Sequence, residues 1–385
     1  MKNENYILGI DASNIRRGGG ITHLSQLLKH ANPELSKISK VIVWSNQGTL
    51  DQLPTKSWLE KKTSILLAGN FLQRILWQLT KLTDALAEES CDIVFVPGGT
   101  FFTKFRPVVS MHQNLLPFES KEIKRYGISF FTIKLLLLRF TQSFSFKRSN
   151  GIIFLSKYSK DSVIRFHRDK ETISKIIPHG IEKRFFKKPK QQLPIHEYSI
   201  ENPFKLIYIS SIDLYKHQWN VLEAVSRLRE EGYPLQLDFY GPGNPKAIRV
   251  LEAAMYKFDR ERVYINYHNE IPFSEVEKIY HKADLSIFAS SCETFGQIIL
   301  ESMASGLPIC CSNMSSMSEI VKESAQYFDP LCINGIESCL REIIDSEERR
   351  SIISNRAYNL ARNFDWDDTA RQSFDFFKYV FIKSV

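Results

Sequence analysis

Short apolar runs alternate with segments of helical period along the first half of the chain. The runs predict buried strands at 6–10, 41–44, 65–67, 93–96, 108–111 and 152–155. Helices are predicted between most of these strands, for example over 21–30 and 71–88. This alternation is typical of a parallel sheet that helices cover on its faces.

The same alternation begins again after a polar segment. Residues 187–203, KKPKQQLPIHEYSIENP, contain three prolines and no periodicity, which predicts a linker. The strands predicted beyond it are 205–209, 235–240, 263–266, 285–288 and 308–311, with helices such as 218–231 and 274–281. The predicted fold class is therefore α/β, with two Rossmann-like, doubly wound parallel-sheet domains that face a central cleft. The predicted boundaries are 1–188, a linker at 189–203, and 204–365.

Composition agrees with a large globular protein and adds a preference for anionic partners. The chain has 385 residues, of which 43% are apolar and 24% charged, and its net charge is +8. A nucleotide, a phospholipid surface and a nucleic acid would all suit that charge. The six cysteines form no C-x-x-C pair, and no run of about 18 apolar residues occurs. We therefore expect a cytoplasmic protein without a zinc site or a disulfide framework.

Two of the predicted strands in the first half are followed by residues suited to a ligand. Gly18, Gly19 and Gly20 precede a helix and would let backbone approach a ligand closely, although a flexible turn explains them equally well. His112 follows the strand at 108–111. A structural histidine with satisfied hydrogen bonds is the more common outcome at such a position.

The second half offers three such strand ends. Lys216 stands between a strand and a helix, where a lysine and the helix amides would together clamp a diphosphate, although a surface lysine is the usual alternative. Gly241 provides a glycine turn after another strand. In ETFGQIILESMASGLP, Glu293 precedes a helix predicted at 295–305, and Glu301 lies inside it. Carboxylates near a helix start are also common for reasons of the helix dipole alone.

Most of the chain resembles the retaining GT-B glycosyltransferases of family four (glycosyl transferases group 1). The strongest element is E-x7-E, formed by Glu293 and Glu301. Supporting elements are the glycine loop, His112 within VVSMHQN, IIPHGIEKRFF and FDWDDTARQ. The resemblance implies that a C-terminal helix at 366–385 packs back on the first domain. It also implies that Asp365-Trp-Asp367 opens this helix and is not a metal-binding motif.

The resemblance also implies roles for individual residues. Glu293, His112 and Lys216 would be catalytic: Glu293 and His112 toward the transferred sugar, and Lys216 toward the diphosphate. The residues that would bind the donor are Gly19, Gly20, Ser211, Lys216, Gly241, Phe295, Gly296, Gln297 and Glu301, with Glu301 accepting from the ribose hydroxyls. No metal and no cofactor would be needed beyond the nucleotide-diphosphate sugar, and nucleic acid is not expected as a partner.

One departure from the family pattern concerns the diphosphate. The family commonly has Gly-Arg before the lysine, whereas Ser210 and Ser211 stand there in this chain. An arginine fork is lost, and lysine alone is a weaker phosphate clamp. His217, directly after Lys216, is a candidate for the second positive charge.

The segment 129–148 bears on the acceptor. Its apolar residues Phe130, Ile133, Leu137, Phe140 and Phe144 fall on one helical stripe, among lysines and arginines. A core helix of the first domain is one interpretation, and a basic amphipathic surface that contacts anionic lipid is the other. The second would suit an acceptor tied to a membrane, and the protein would then be peripheral at the inner face of that membrane.

The function predicted from these observations is a retaining, metal-independent glycosyltransferase. It would move a sugar from a UDP- or GDP-linked donor to a glycan or glycolipid in cell-surface polysaccharide or lipopolysaccharide biosynthesis. A non-catalytic subunit that binds nucleotide sugars is the alternative, motivated by Ser211. A dinucleotide oxidoreductase is disfavoured, because neither domain's first strand leads into a G-x-G-x-x-G fingerprint with a following acidic residue.

Overall fold

The computed structural model of the chain describes residues 5–16, 18–166 and 173–384. The strands are β1 (Tyr6–Asp11), β2 (Ile38–Trp44), β3 (Leu59–Lys62), β4 (Ile93–Val96), β5 (Val108–His112), β6 (Gly151–Phe154), β7 (Ile173–Ile176), β8 (Phe204–Ile209), β9 (Leu235–Tyr240), β10 (Ile265–His268), β11 (Leu285–Phe288), β12 (Ile309–Ser312) and β13 (Gln326–Phe328). The helices are α1 (Gly19–His30), α2 (Gln47–Leu50), α3 (Ile65–Ala68), α4 (Phe71–Thr80), α5 (Leu82–Glu88), α6 (Ser120–Lys124), α7 (Phe130–Arg148), α8 (Lys157–Ile164), α9 (Gln218–Glu230), α10 (Pro245–Phe258), α11 (Val276–Tyr280), α12 (Gln297–Ala304), α13 (Met317–Val321), α14 (Ile333–Ile344), α15 (Glu347–Ala361) and α16 (Trp366–Ser384).

The chain divides into two compact units. Unit 1 comprises Met1–Phe118, Ser129–Gly180 and Asp365–Val385, and unit 2 comprises Glu119–Ile128 and Ile181–Phe364. Val385, the last residue of the helix predicted at 366–385, lies outside the described residues. The segment predicted as a linker, 189–203, lies within unit 2.

Unit 1 is built on a seven-stranded parallel sheet. The strand order is β3-β2-β1-β4-β5-β6-β7, so the order reverses between β1 and β4. Leu8 of β1 pairs with Val41 of β2 on one side and with Ile93 of β4 on the other. Helices cover both faces of this sheet, which explains why its central strands read as continuous apolar runs.

The two faces of this sheet pack against different helices. Alternate residues of β4 point to opposite faces, and Val94 lies in a buried cluster with Trp77 and Leu82 of α4 and α5. Phe95, on the other face, contacts Phe377 of α16 at a ring distance of 4.8 Å. The C-terminal helix therefore completes the core of unit 1.

Unit 2 is built on a six-stranded parallel sheet. Its strand order is β10-β9-β8-β11-β12-β13, which reverses between β8 and β11. Ile207 of β8 pairs with Asp238 of β9 and with Ser286 of β11. Ligands of doubly wound sheets bind beyond the carboxyl ends of the strands at such a reversal.

The strand predicted at 65–67 is wrong, because Ile65–Ala68 forms the short helix α3. Ser64 begins this helix, since its side chain accepts a hydrogen bond from the amide of Leu67. The third strand of the sheet is instead β3, at Leu59–Lys62, whose sequence LEKK is too polar to be recognised as a buried strand.

The helix predicted at 71–88 is divided into α4 and α5. Asn70 and Gln73 form a reciprocal capping box at the start of α4, with Asn70 Oδ1 accepting from the Gln73 amide at 3.1 Å. Lys81 interrupts the helix with a non-helical φ of −123°. The apolar pattern continues across Lys81, so it contained no sign of this break.

The segment predicted as a linker is fixed to the rest of unit 2 by a buried arginine. The guanidinium of Arg350 is buried, and it donates to the side chain of Gln192 and to the carbonyl of Leu193. Lys190 also pairs with Asp284 at 2.5 Å. The proline-rich composition indicated the absence of regular structure but not these contacts.

The apolar stripe of α7 is exposed, so the core-helix interpretation of 129–148 is wrong for these five side chains. Phe130, Ile133, Leu137, Phe140 and Phe144 are 44–83% exposed. The helix is instead anchored by the buried residues Leu135, Gln142, Ser145 and Phe146. None of the helices formed by residues 5–16, 18–166 and 173–384 is long and apolar enough to cross a membrane.

Candidate functional site

The loops that follow β8 and β11 are joined by an ion pair at the reversal of strand order in unit 2. Lys216 Nζ contacts Glu293 Oε1, and their side chains are only 6% and 16% exposed. The ammonium also lies 4.8 Å from the ring centre of Phe288. The sequence suggested separate roles for these two residues, and the structure brings them into direct contact.

Three serines hold Glu293 in place. Ser290 Oγ donates to Glu293 Oε1 at 2.6 Å, and Ser316 Oγ donates to the backbone carbonyl of Glu293 at 3.1 Å. The amide of Glu293 donates to Ser315 Oγ at 3.1 Å. Sequence reasoning missed these serines, although their clustering in SSCE and SNMSSMS was a visible signal.

Lys216 is positioned by the entry into α9. Tyr208 of β8 is buried, and its hydroxyl donates to the carbonyl of Lys216 at 2.6 Å. His217 then adopts a left-handed conformation, φ 50°, and begins the helix. This tight turn keeps the lysine beside β11 and does not let it extend into solvent.

His217 does not fit the role of a second positive charge. Burial lowers the pKa of His217 to about 3, with a smaller contribution from Arg125. The imidazole is therefore neutral at physiological pH, and Nε2 lies 2.9 Å from Ser291 Oγ. The expectation that His217 replaces the missing arginine is wrong, because the protein interior disfavours its charged form.

A segment from the first half of the chain contributes to unit 2 near this loop. Tyr126 Oη donates to Asp213 Oδ1 at 2.6 Å, which fixes the segment Glu119–Ile128 against the loop after β8. Arg125 in this segment pairs with Glu122 at 2.6 Å and is the cation that acts on His217. No sequence pattern signalled that these residues join the second sheet.

The turn at Ser210 and Ser211 is held by hydrogen bonds instead of an arginine fork. Gln218 Nε2 donates to Ser210 Oγ at 3.1 Å and to the carbonyl of Ser211 at 3.0 Å. Ser211 is exposed at this strand end. Gly241, on the neighbouring strand end, has φ 131°, and a Cβ there would lie 2.3 Å from the Ser210 carbonyl oxygen. Glycine is therefore required at 241 for close approach of two backbones.

The helix predicted at 295–305 begins two residues later, at Gln297. Gly296 precedes it in a left-handed conformation with φ 89°, which only glycine adopts readily. Phe295 lies before the helix, buried against Phe364 at a ring distance of 5.8 Å. Of the three amides predicted at the helix start, those of Phe295 and Gly296 precede the helix, and only that of Gln297 belongs to it.

Glu301 is buried inside α12. Its Oε2 lies 3.4 Å from the hydroxyl of Tyr280, which is also 3.1 Å from the carbonyl of Ile298. Burial raises the pKa of Glu301 to about 8, although the nearby Arg184 opposes this shift. Glu301 is thus largely protonated near neutral pH, a state that the sequence did not indicate.

The predicted residues of unit 1 lie at two strand ends of its own sheet. Gly18 begins α1 with φ 63°, and a Cβ on Gly19 would contact nothing within 4 Å. A Cβ on Gly20 would lie 3.2 Å from Ile15. Gly18 is therefore required by its backbone conformation, whereas Gly19 leaves open space beside the helix start.

His112 is the last residue of β5 and is buried. Its Nε2 donates to the carbonyl of Asn114 at 2.9 Å, and Nδ1 has no hydrogen-bond partner among the described residues. Burial lowers the pKa of His112 to about 3, so Nδ1 is an acceptor available to a donor. Around the ring, Phe118 and Phe146 make edge contacts at 5.2 and 5.8 Å.

Asp365 and Asp367 take part in the start of α16. Asp365 Oδ1 accepts from the amide of Asp367 at 3.2 Å, and Asp367 Oδ1 lies 2.7 Å from His30 Nδ1. Among the residues that the structure describes, no group of three or more histidine, cysteine or acidic side chains is arranged to hold a metal ion.

Residues 191–360 match the sequence model of a family described as glycosyl transferases group 1. The match spans less than half of the chain and contains Lys216, Glu293 and Glu301. O-antigen chain mannosyltransferase B of Escherichia coli is 25% identical over 242 residues, which cover 60% of this chain and 60% of the relative. The chain therefore aligns with only about three fifths of that protein's length.

Solved structures share the fold over nearly the whole chain. HepE of Anabaena in complex with UDP has a TM-score of 0.70 and 17% identity, with 99% of this chain and 100% of that chain covered. WaaG, a glycosyltransferase involved in lipopolysaccharide biosynthesis, has a TM-score of 0.68 and 15% identity, with 96% and 99% covered. The two Rossmann-like domains are those of the GT-B fold, as predicted.

We expect the Lys216–Glu293 pair to be strongly coupled, because both side chains are buried. In a double-mutant cycle with Lys216→Met and Glu293→Gln, the double substitution should cost about 1–3 kcal/mol less than the sum of the single ones. Urea unfolding measures these free energies. The exposed pair Glu275–Lys278 of unit 2 is the control, with a coupling of about 0.5 kcal/mol or less. Equal coupling for the two pairs would contradict the buried ion pair.

Glu301 should make stability depend on pH. Between the ordinary pKa of glutamate and about 8, folded Glu301 retains a proton that the unfolded chain has released. The free energy of unfolding should therefore fall as pH rises through this window, by at most about 1.4 kcal/mol per pH unit. Glu301→Gln should remove this contribution, whereas exposed Glu275→Gln should not. Parallel pH profiles for wild type and Glu301→Gln would show that the carboxyl is ionised throughout.

Proposed function

From the membership of residues 191–360 in the glycosyl transferases group 1 family, we propose that this protein transfers a sugar from a nucleotide-diphosphate sugar, UDP- or GDP-linked. The observation that carries the proposal is the Lys216–Glu293 ion pair at the reversal of strand order in unit 2. It places one cation and one carboxylate where doubly wound sheets bind nucleotides. The reaction is a hexosyl transfer of EC 2.4 type.

The acceptor proposed is a glycan or a glycolipid of cell-surface polysaccharide or lipopolysaccharide biosynthesis. The relative from Escherichia coli is named for O-antigen chains, and WaaG for lipopolysaccharide biosynthesis, which supports this class. HepE binds UDP, which supports a nucleotide-linked donor. The protein would work at the inner face of the membrane that holds such an acceptor.

The diphosphate leaving group is the centre of the proposed chemistry. As the bond between the anomeric carbon and the phosphate oxygen breaks, negative charge grows on the diphosphate, and Lys216 is placed to stabilise it. The ammonium has three donors, of which Glu293 occupies one, so phosphate oxygens can take the others. The arginine fork is absent, and Arg125, whose charge acts on neighbouring His217, and the amide at the start of α12 would add positive potential.

Glu293 would bind a hydroxyl of the transferred sugar while it remains held by Ser290. The acceptor oxygen would attack from the face that the diphosphate leaves, and its proton would pass to the departing phosphate oxygen. Retention of configuration follows, because bond making and bond breaking occur on the same face. No metal ion is required, since Lys216 and backbone amides carry the charge stabilisation.

Glu301 would accept hydrogen bonds from the ribose hydroxyls of the donor, and His112 would accept one from the sugar. Backbone contacts with the donor would come from Gly19, Gly20, Ser211, Gly241 and Gln297. A carboxylate accepts two hydrogen bonds more readily than a carboxylic acid does. Nucleotide binding near neutral pH should therefore release the proton of Glu301. This ties its raised pKa to donor affinity.

The two glutamates should separate nucleotide binding from transfer. Glu301→Ala should weaken nucleoside diphosphate about tenfold or more, since it removes charge-assisted hydrogen bonds worth roughly 1.5–3 kcal/mol. Glu293→Ala should leave nucleoside diphosphate affinity nearly unchanged and lower transfer. Calorimetry in two buffers of different ionisation enthalpy measures both affinity and proton release, with Glu275→Ala as control. Unchanged nucleotide affinity of Glu301→Ala would remove the ribose role.

Product stereochemistry tests the reaction type. With a donor that the protein accepts in a screen of UDP and GDP sugars, we expect the product to keep the anomeric configuration of the donor, with and without chelator. Proton NMR of the anomeric signal measures this. An inverted product, or activity that chelator abolishes and Mg²⁺ restores, would count against the proposal. Binding without transfer to any acceptor or water would favour a non-catalytic subunit.

A further inference from the structure

Two regions of unit 1 that expose apolar side chains lie on the same face of the sheet. The connections from β3 to β4 and from β5 to β6 both run in the same direction along the sheet, and right-handed crossovers place α4 and α7 on one face. The packing agrees, because Trp77 of α4 packs with Val94, and Phe146 of α7 packs with Ile152. Gly151, which alternates with Ile152, faces Val380 of α16 on the other side.

The helices α4 and α7 also flank one loop. Gln78 of α4 donates to the carbonyl of Thr100 at 3.3 Å. Ser145 of α7 accepts from the amide of Phe101 at 3.0 Å. Consecutive residues of this loop therefore bind the two helices, which makes the helices neighbours.

The first region comprises α3 and α4. Its apolar side chains Ile65, Phe71, Leu72, Leu76 and Leu79 are 48–88% exposed. Leu72, Leu76 and Leu79 have the spacing of one helical face, while Trp77 and Gln78 of the same helix are buried. The apolar residues that a sequence reader would place in the core thus point to solvent.

The second region is the stripe of α7 that includes Phe130, Ile133, Leu137 and Phe140. Scattered single apolar residues are normal on protein surfaces, but two adjacent helices with continuous apolar stripes are not. We call these exposed side chains of α3, α4 and α7 the apolar face. A surface of this kind marks a site that binds a protein partner or a membrane.

The two stretches of sequence that carry the apolar face have charges of one sign. Residues 61–83 and 123–160, which contain the two regions, include no aspartate or glutamate. Lys81, Lys134 and Lys147 are exposed. In the loop between the helices, Lys104 and Arg106 are exposed as well. Exposed apolar side chains in stretches that carry cations but no acidic residue match the interface of a bilayer that contains anionic lipid.

We propose that the apolar face docks onto the surface of an anionic lipid bilayer, with α4 and α7 lying in the interface and the lysines contacting lipid phosphates. A second copy of the chain is a poorer occupant, because two such faces would bring cations against cations. The inference does not depend on sugar transfer. It assigns α3 and α4, which the sequence did not single out, a role equal to that of α7.

The basic residues differ in what they contribute. Arg139 donates to the carbonyl of Pro117 and lies over Phe166 at 5.0 Å. Arg148 lies over Phe144 at 5.0 Å. These two arginines are tied to the protein, so exposed Lys81, Lys134 and Lys147 are the better probes of lipid charge.

Vesicle co-sedimentation of the full chain tests the proposal. We expect binding to phosphatidylcholine vesicles that contain phosphatidylglycerol, weaker binding to pure phosphatidylcholine, and loss of the difference at high salt. A variant with Leu72→Gln, Leu76→Gln and Leu79→Gln should bind at least about tenfold more weakly. A variant with Leu137→Gln and Phe140→Gln should do the same. Replacing Lys81, Lys134 and Lys147 by Gln should remove the preference for phosphatidylglycerol.

The matched control lies elsewhere on unit 1. Leu35, Tyr379 and Ile382 are 49–69% exposed, and their replacement by Gln should leave vesicle binding unchanged. Circular dichroism should show that every variant is folded. Equal vesicle binding by wild type and the two apolar-face variants would overturn the proposal. A wild-type dimer in sedimentation velocity that these variants dissolve, without vesicle binding, would overturn it in favour of a second copy.

Discussion

The buried ion pair between Lys216 and Glu293 joins two loops that come from strands β8 and β11, on either side of the reversal in the second sheet. Removal of either partner would leave the other side chain buried without its ion pair, which is strongly destabilising. The pair therefore constrains both loops at once: the turn that leads through His217 into α9, and the loop that leads through Gly296 into α12. Tyr208 and Ser290 complete the constraint by fixing the lysine backbone and the glutamate carboxylate.

Glu293 and Glu301 belong to one short motif but have different partners in the structure. Glu293 faces a cation and a hydroxyl donor, whereas Glu301 faces Tyr280 within the apolar side of α12. Burial raises the pKa of Glu301 to about 8. The seven residues between them put Glu293 in the loop before α12 and Glu301 about one turn inside that helix. The two residues are of the same type, so the difference between them comes from their surroundings.

Sequence patterns predicted the two parallel sheets well, because buried strands flanked by helices have a strong apolar signal, as at Ile93–Val96. These patterns gave wrong secondary structure where a strand is polar or where an apolar run is not a strand. Leu59–Lys62 forms an edge strand with polar residues, while Ile65–Ala68 is apolar and helical because Ser64 starts a helix. The candidate residues were placed at strand ends by their order in the chain, but the contact of Lys216 with Glu293 and the neutral state of His217 depend on tertiary packing. The exposed stripes of α4 and α7 could not be told from core helices, since periodicity shows which residues share a face but not what covers it.

The contacts of residues 185–193 limit where a fragment that contains the second sheet can begin. The amide of Lys187 donates to the carbonyl of Ala304 at 3.0 Å and so caps the end of α12. Gly306 has φ 68° and leaves no room for a Cβ beside the Lys187 carbonyl. Phe185 is buried against Tyr280, and Arg350 is covered by Gln192 and Leu193. A fragment cut at the start of the family match, residue 191, would lose the cap of the helix that carries Glu301 and would expose the aromatic pocket beneath it. A fragment that keeps these contacts should therefore begin no later than Ile181.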